Sequence, residues 1–249
     1  MKNAWLAARA VLLWTASGIH FAVVSTFLIL LRIFIDPRRN DWPQRVFFRN
    51  ILRLAGVKFE VQRAPGFDAQ RTSIFVSNHV NIFDPFVIYS AIPQFVRGFE
   101  LESHFKIPIY GWMMGRFGNI AVPDAPGRKS LEVMIARARA ALDCGVSLIA
   151  FPEGSRTRDG HVQPFKKGIF SLAQKFEVPI VPVSIVGSYE FFQTGNWMLR
   201  PSTIKVFLHD TIDTSGINRR DVDALRERVR AIVVAPLEQS IENYKPKGA

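Results

Sequence analysis

Between Ala10 and Leu31 the chain carries 22 consecutive residues with no Asp, Glu, Lys or Arg. As a helix this run would reach about 33 Å, enough to cross the hydrocarbon core of a bilayer, so it must sit in lipid or against a protein surface able to cover it. A cleaved signal peptide would have a shorter apolar core and a small-residue cleavage site. Here Leu28-Ile29-Leu30-Leu31 leads directly into Arg32, which implies that the segment is retained. Thr15, Ser17, Gly18 and His20 interrupt it midway, leaving open whether it spans or lies in one leaflet. Arg32, Arg38, Arg39, Arg45 and Arg49 after it outnumber Lys2 and Arg9 before it. That bias places the bulk of the chain on the cytoplasmic side of the inner membrane.

From Gln44 to Leu54, Val46, Phe47, Ile51, Leu52 and Leu54 alternate with Arg45, Arg49 and Arg53, the pattern of an amphipathic helix. Its apolar face fits a membrane interface or the flank of a domain equally well. Residues 1–56 are therefore expected to be membrane-anchoring helices and 57–249 a single α/β domain, since 249 residues with 48% hydrophobic content are too few for two full domains.

A formal net charge of +11 requires an anionic partner: nucleic acid, lipid headgroups or a phosphorylated substrate. The sequence has no nucleic-acid-binding signature, and the apolar N-terminal run favours an anionic membrane surface, with no nucleic acid expected. Cys144 is the single cysteine, which excludes an intrachain disulfide and a cysteine-rich metal site. It reads as a small buried or half-buried side chain at the end of a helical pattern.

Beyond residue 57, strand and helix signals alternate. Lys58–Gln62, Ser73–Ser77, Phe95–Phe99, Gly118–Val122, Ser147–Phe151, Ile180–Val186 and Thr203–His209 read as strands. Arg128–Leu142 places Leu131, Met134, Ile135, Ala138 and Leu142 on one helical face, Lys167–Phe176 forms a shorter helix, and Asp221–Val234 a last one that breaks near Pro236. The alternation predicts a layered α/β fold, a central mostly parallel sheet flanked by helices, with ligands at the C-terminal ends of its strands.

One such end carries Ser77-Asn78-His79-Val80-Asn81-Ile82-Phe83-Asp84-Pro85. Pro85 suits the first position of a helix, which makes Asp84 its expected N-cap. A carboxylate five residues after a histidine can also fold back to orient the imidazole, whose other nitrogen would then serve as a general base. On these residues alone both readings stand: a catalytic pair, or a structural histidine beside a capping aspartate.

Four further blocks bear on the choice: Lys106-Ile107-Pro108-Ile109-Tyr110-Gly111-Trp112, Gly118-Asn119-Ile120-Ala121-Val122, Phe151-Pro152-Glu153-Gly154-Ser155-Arg156-Thr157-Arg158, and Val178-Pro179-Ile180-Val181-Pro182-Val183. With the His79 block, their order and spacing resemble the glycerolipid acyltransferase family, the 1-acyl-glycerol-3-phosphate acyltransferases, from about Ser73 to Ile185. The resemblance implies catalytic His79 and Asp84, with Lys106 and the Glu153-Gly154-Ser155-Arg156 turn binding the acceptor. Arg156 and Lys106 would be its phosphate ligands, and Glu153 a residue that holds Arg156 or shapes the turn. It further implies transfer of a fatty acyl group from acyl-CoA or acyl carrier protein to a lysophospholipid, with no metal and no cofactor. No Gly-x-Ser-x-Gly elbow is present to support an acyl-serine route.

One departure stands out. Where the family continues its second block as Phe-Ile-Asp-Arg, this chain has Ala121-Val122-Pro123-Asp124, an acid in place of a phosphate-binding arginine. The acceptor is then 1-acyl-glycerol 3-phosphate, with Arg128 or Lys129 restoring the charge, or another lysolipid such as a lyso-ornithine lipid. A noncatalytic lipid-binding protein of the same fold is the remaining alternative. His20, His104, His161 and His209 lack a paired motif.

Overall fold

The computed structural model describes residues 2–31, 34–36 and 41–240. Arg32, Arg38 and Arg39, counted in the charge bias, lie outside the described residues. In chain order the elements are α1 (Lys2–Leu31), α2 (Trp42–Leu54), β1 (Lys58–Arg63), β2 (Ile74–Ser77), α3 (Asp84–Ala91), β3 (Val96–Leu101), α4 (Tyr110–Arg116), β4 (Ile120–Val122), α5 (Arg128–Asp143), β5 (Ser147–Ala150), α6 (Gly168–Phe176), β6 (Ile180–Val186), α7 (Ser188–Phe191), β7 (Thr203–Leu208) and α8 (Val222–Ser240). Short 3₁₀ turns occupy Glu102–Lys106 and Arg219–Asp221.

The seven strands form one sheet in the order β1-β7-β6-β2-β5-β3-β4. β6, β2, β5, β3 and β4 are mutually parallel, β7 joins β6 antiparallel, and β1 pairs with β7 in parallel. β2, β5 and β6 are buried along their whole length, as expected of strands covered on both faces. Successive side chains point to opposite faces. Phe75, Ile149, Val181, Val183 and Ile185 enter one core, together with residues of α2, α3 and α4. Ile74, Val76, Leu148 and Ile180 enter the other, together with α5, α6 and α8. The expected layered, mostly parallel architecture is the one observed.

Both N-terminal helices pack against the domain. Phe47, Phe48, Ile51 and Leu52 of α2 are buried in the same core as β2 and β6, so the apolar face of this helix packs on the domain. Arg45, one of the residues in the charge bias, reaches the carbonyls of Ile92 and Gln94 beyond α3 and pairs with Asp41. α1 also lies along the domain. Trp14 packs its ring on Phe83 and Phe192, Phe21 packs on Phe47, Phe86 and Tyr110, and Leu28 is buried. The other side of α1 exposes Trp5, Val11, Leu12, Ile19, Val23, Phe27 and Leu30. An apolar helix with apolar neighbours on one flank cannot announce that flank in its sequence, because both sides read alike.

Two further expectations are corrected. The last helix continues through Pro236 to Ser240. Proline removes the N–H that would bond the Ile232 carbonyl, but Val229, Val233, Val234 and Leu237 are buried on both sides of it, and their packing holds one helix. Cys144 is exposed rather than buried, because it follows α5 at the turn into Gly145.

Candidate active site

The C-terminal ends of β2, β5 and β6 bring the candidate residues together. Asn78, just after β2, donates from Nδ2 to the Ile185 carbonyl (3.0 Å) and accepts the Ile185 N–H at Oδ1 (2.8 Å), pinning this end of β2 to β6. His79 follows, strapped by its backbone on both sides. Its N–H donates to Glu153 Oε1 (2.6 Å), and its carbonyl accepts the Thr157 N–H (3.0 Å). The imidazole lies on the Phe151 ring, with centroids 4.1 Å apart and planes 19° apart. Its Nδ1 is 2.9 Å from Asp84 Oδ2.

Asp84 is the first residue of α3 and does not cap it; Phe83 holds the cap position, with no side-chain bond to the helix. The carboxylate turns back instead into the loop that precedes it, where Oδ2 also accepts the N–H groups of Val80 (2.5 Å) and Asn81 (2.8 Å). Those backbone donors compete with the helix terminus for the same side chain, and the turn closes around it. Asp84 is fully buried, whereas the His79 side chain is 19% exposed. With Nδ1–H facing an acceptor-only carboxylate, Nε2 is the nitrogen left with its lone pair. Such an imidazole can take a proton from an incoming hydroxyl.

The loop after β5 carries the proposed acceptor-binding turn. Glu153 is buried, and its oxygens accept the N–H groups of His79 and Gln163 (2.7 Å). It therefore shapes the turn and does not hold Arg156. Burial pushes its carboxyl up to about 7, against the opposing pull of the two amides. Gly154 adopts φ +72°, a left-handed conformation that favours glycine at this turn. Ser155 and Arg156 are exposed, and Arg156 forms no ion pair with a described residue. Its chain neighbour Thr157 is the residue bonded to the His79 carbonyl, which sets the arginine beside the histidine block.

Lys106 ends the 3₁₀ turn after β3 and is exposed. Asp124, the residue at variance with the family pattern, accepts from both Oγ (2.7 Å) and N–H (2.8 Å) of Ser103 at the start of that turn. The Ser103 hydroxyl holds its carboxyl below the usual range, aided by the charges of His104 and Lys106. Arg128 is paired with Glu132 within α5. His104, unpaired in the sequence reading, bonds Glu100 four residues earlier, and Tyr110 donates to the other oxygen of Glu100 (2.6 Å). No sequence signal marks that pair, because Glu100 lies in β3 and His104 in the turn after it.

A histidine facing a buried acid at the C-terminal ends of the central parallel strands, beside an exposed arginine, is an arrangement able to activate a hydroxyl for group transfer. A family model described as Acyltransferase matches residues 58–186, more than half of the chain, and the chain belongs to that family. It is 29% identical over 213 residues to the chloroplastic 1-acyl-sn-glycerol-3-phosphate acyltransferase LPAT1 of Arabidopsis thaliana, covering 80% of this chain and 59% of the relative. It is 30% identical over 180 residues to 1-acyl-sn-glycerol-3-phosphate acyltransferase beta of Homo sapiens, covering 72% and 64%. The chain thus spans less than two thirds of these relatives. The crystal structure of the 1-acyl-sn-glycerophosphate acyltransferase PlsC from Thermotoga maritima superposes with a TM-score of 0.80 over 98% of this chain and 100% of that one, at 22% identity, a likeness of fold.

Proposed function

We propose that this protein is a membrane-associated O-acyltransferase that esterifies the free hydroxyl of a lysophospholipid, 1-acylglycerol 3-phosphate above all, to give phosphatidic acid. The observation that carries the reading is the 2.9 Å contact between His79 Nδ1 and the buried Asp84 carboxylate, beside an exposed Arg156. His79 Nε2 removes the hydroxyl proton as the oxygen adds to the thioester carbonyl of acyl-CoA or acyl carrier protein. The C–S bond then breaks, and the imidazolium returns the proton to the departing thiolate. No protein nucleophile takes part, and the thioester supplies the activation that a cofactor would otherwise provide. Arg156 and Lys106 bind the acceptor's phosphate, with Gly154 and Ser155 forming the turn beneath it and Glu153 holding that turn to His79.

The names of the relatives support 1-acylglycerol 3-phosphate as acceptor. Asp124 accepts two hydrogen bonds from Ser103, which supports a role in shaping the turn that ends in Lys106 over contact with a cationic headgroup. The exposed apolar residues on the outward side of α1, and the exposed Trp42, Val46 and Trp112, support contact with the cytoplasmic leaflet. The packing of α1 along the domain supports a helix that lies in one leaflet over one that spans the bilayer. The test is to present the purified chain with a panel of lysolipids and with labelled acyl-CoA or acyl carrier protein, and to identify products by mass. Phosphatidic acid as the main product supports the reading; acylation of a cationic lysolipid in preference would replace it, and transfer to none would refute it.

A further inference from the structure

We propose that Ser188, at the end of β6, is a positioning residue for acyl transfer: it holds the rear of the Asp84 carboxylate and so fixes the His79–Asp84 pair. The inference rests on the general-base reading of His79.

The sequence separates Ser188 from Asp84 by more than a hundred residues, and the fold closes that gap at one point. β6 ends at Val186, and Gly187 turns the chain with φ +90°. A Cβ at Gly187 would collide with the Thr203 carbonyl of β7, so only glycine permits this turn. Ser188 is 1% exposed, and its Oγ lies 2.6 Å from Asp84 Oδ1. The other Asp84 oxygen is the one bonded to His79, Val80 and Asn81.

The direction of the Ser188 hydrogen bond follows from its neighbours. Asn81 accepts the Phe83 N–H at Oδ1 (2.8 Å), which fixes Nδ2 as the end facing α7. Nδ2 has three acceptors in range for its two N–H groups, the Ser188 carbonyl (2.7 Å), Ser188 Oγ (2.9 Å) and the Phe192 carbonyl (3.0 Å). Because the Asp84 carboxylate only accepts, the Ser188 hydroxyl is the donor of the bond between them. Asn81 bridges both ends of the device, since its own N–H also bonds Asp84. A carboxylate with donors on both oxygens cannot rotate about its Cβ–Cγ bond without losing bonds in a buried setting, and the imidazole inherits that orientation.

Removing the hydroxyl leaves Oδ1 without a donor and concentrates negative charge on Oδ2, against Nδ1. The imidazolium is then held more firmly, and the ring works as a base only at higher pH. Other charged groups around His79 are Glu153 on its N–H, Arg156 and Arg158 flanking the Thr157 amide, and Arg230 acting on Glu153.

The test compares wild type, Ser188→Ala, Ser188→Thr and His79→Ala as full chains in mixed micelles, measuring kcat, KM for each substrate, the pH profile of kcat/KM and Tm. Ser188→Ala is expected to lower kcat about 10- to 100-fold, the loss associated with one hydrogen bond to a charged group, with KM within about twofold. The acid limb of its profile moves upward by about half a pH unit, and Ser188→Thr restores most of kcat. Wild-type kcat in Ser188→Ala overturns the inference, and so does a loss that tracks a lowered Tm with the acid limb unmoved. Inactive His79→Ala beside wild-type-like Ser188→Ala defeats the Ser188 role alone, whereas active His79→Ala defeats both it and the general-base reading.

Discussion

Glu153 accepts the backbone N–H of His79 at 2.6 Å, so the carboxylate of the β5 loop holds the main chain of the histidine in the β2 loop and not its imidazole. Its second oxygen takes the Gln163 N–H, and burial raises its carboxyl to about 7. A carboxyl raised in the folded state disfavours folding as pH climbs from the unfolded value, about 4.3, to the folded one, because the native state then holds the proton that the unfolded state has released. Wild type should therefore lose stability relative to Glu153→Gln between pH 5 and pH 8, by about 3 kcal/mol at most. Paired denaturation curves at the two pH values measure this. A difference independent of pH would show that burial does not govern this carboxyl.

Asp84→Asn should reduce turnover about 10³-fold or more, by analogy with the loss when a triad aspartate becomes an amide and the histidine tautomer is wrong. The amide nitrogen would stand as a donor where one carboxylate oxygen now accepts, against either the Ser188 hydroxyl or the Val80 and Asn81 N–H groups, so the melting temperature should also fall. Single-turnover acyl transfer and Tm, measured on the same preparation, check both effects; turnover within a few-fold of wild type would remove Asp84 from the mechanism.

Arg156→Ala should raise the acceptor KM and lower kcat/KM about 10- to 100-fold, the range for loss of a hydrogen bond to a charged group. Arg156→Lys recovers only part, because an ammonium lacks the planar fork. The donor KM stays unchanged in both. Steady-state kinetics with acceptor and donor varied separately test this, and an unaltered acceptor kcat/KM would exclude the phosphate contact.

Asp124→Asn tests the one departure from the family's block pattern. Because Asp124 bonds Ser103 at the start of the turn that ends in Lys106, the substitution should raise acceptor KM modestly, about two- to fivefold, without changing which lysolipid is preferred. A switch in preference from a cationic to an anionic lysolipid would reassign Asp124 to the headgroup.

For the membrane surface, Val23→Glu combined with Phe27→Glu on the outward side of α1 should release the protein from anionic vesicles with little change in Tm. Leu28→Ala, on the buried side, should do the reverse and cost about 2–5 kcal/mol of stability. Vesicle sedimentation and thermal melts of the two variants separate these faces. Equal vesicle binding by the glutamate variant would place the lipid contact elsewhere.

The elements legible in the sequence were those whose signals are local. β6 was readable at Ile180–Val186 because a buried parallel strand is an unbroken apolar run, and the His79–Asp84 pair was readable because five residues of turn hold both partners. The same locality misled at Asp84, where Pro85 suggested a cap while the loop amides of Val80 and Asn81 captured the carboxylate. α2 was ambiguous because lipid and protein select the same apolar face. Pro236 suggested an end to α8 that burial of Val233 and Leu237 overrides. Ser188 gave no signal at all: a serine after Val186-Gly187 acquires meaning only when β6 lies beside β2.

The most direct measurement is acyl transfer from a labelled thioester to 1-acylglycerol 3-phosphate by His79→Ala, with vesicle binding and Tm recorded on the same sample. The account predicts a loss of at least about 10³-fold in kcat with binding and Tm unchanged, since the imidazole supplies proton removal and not the fold. Transfer within a few-fold of wild type would contradict it.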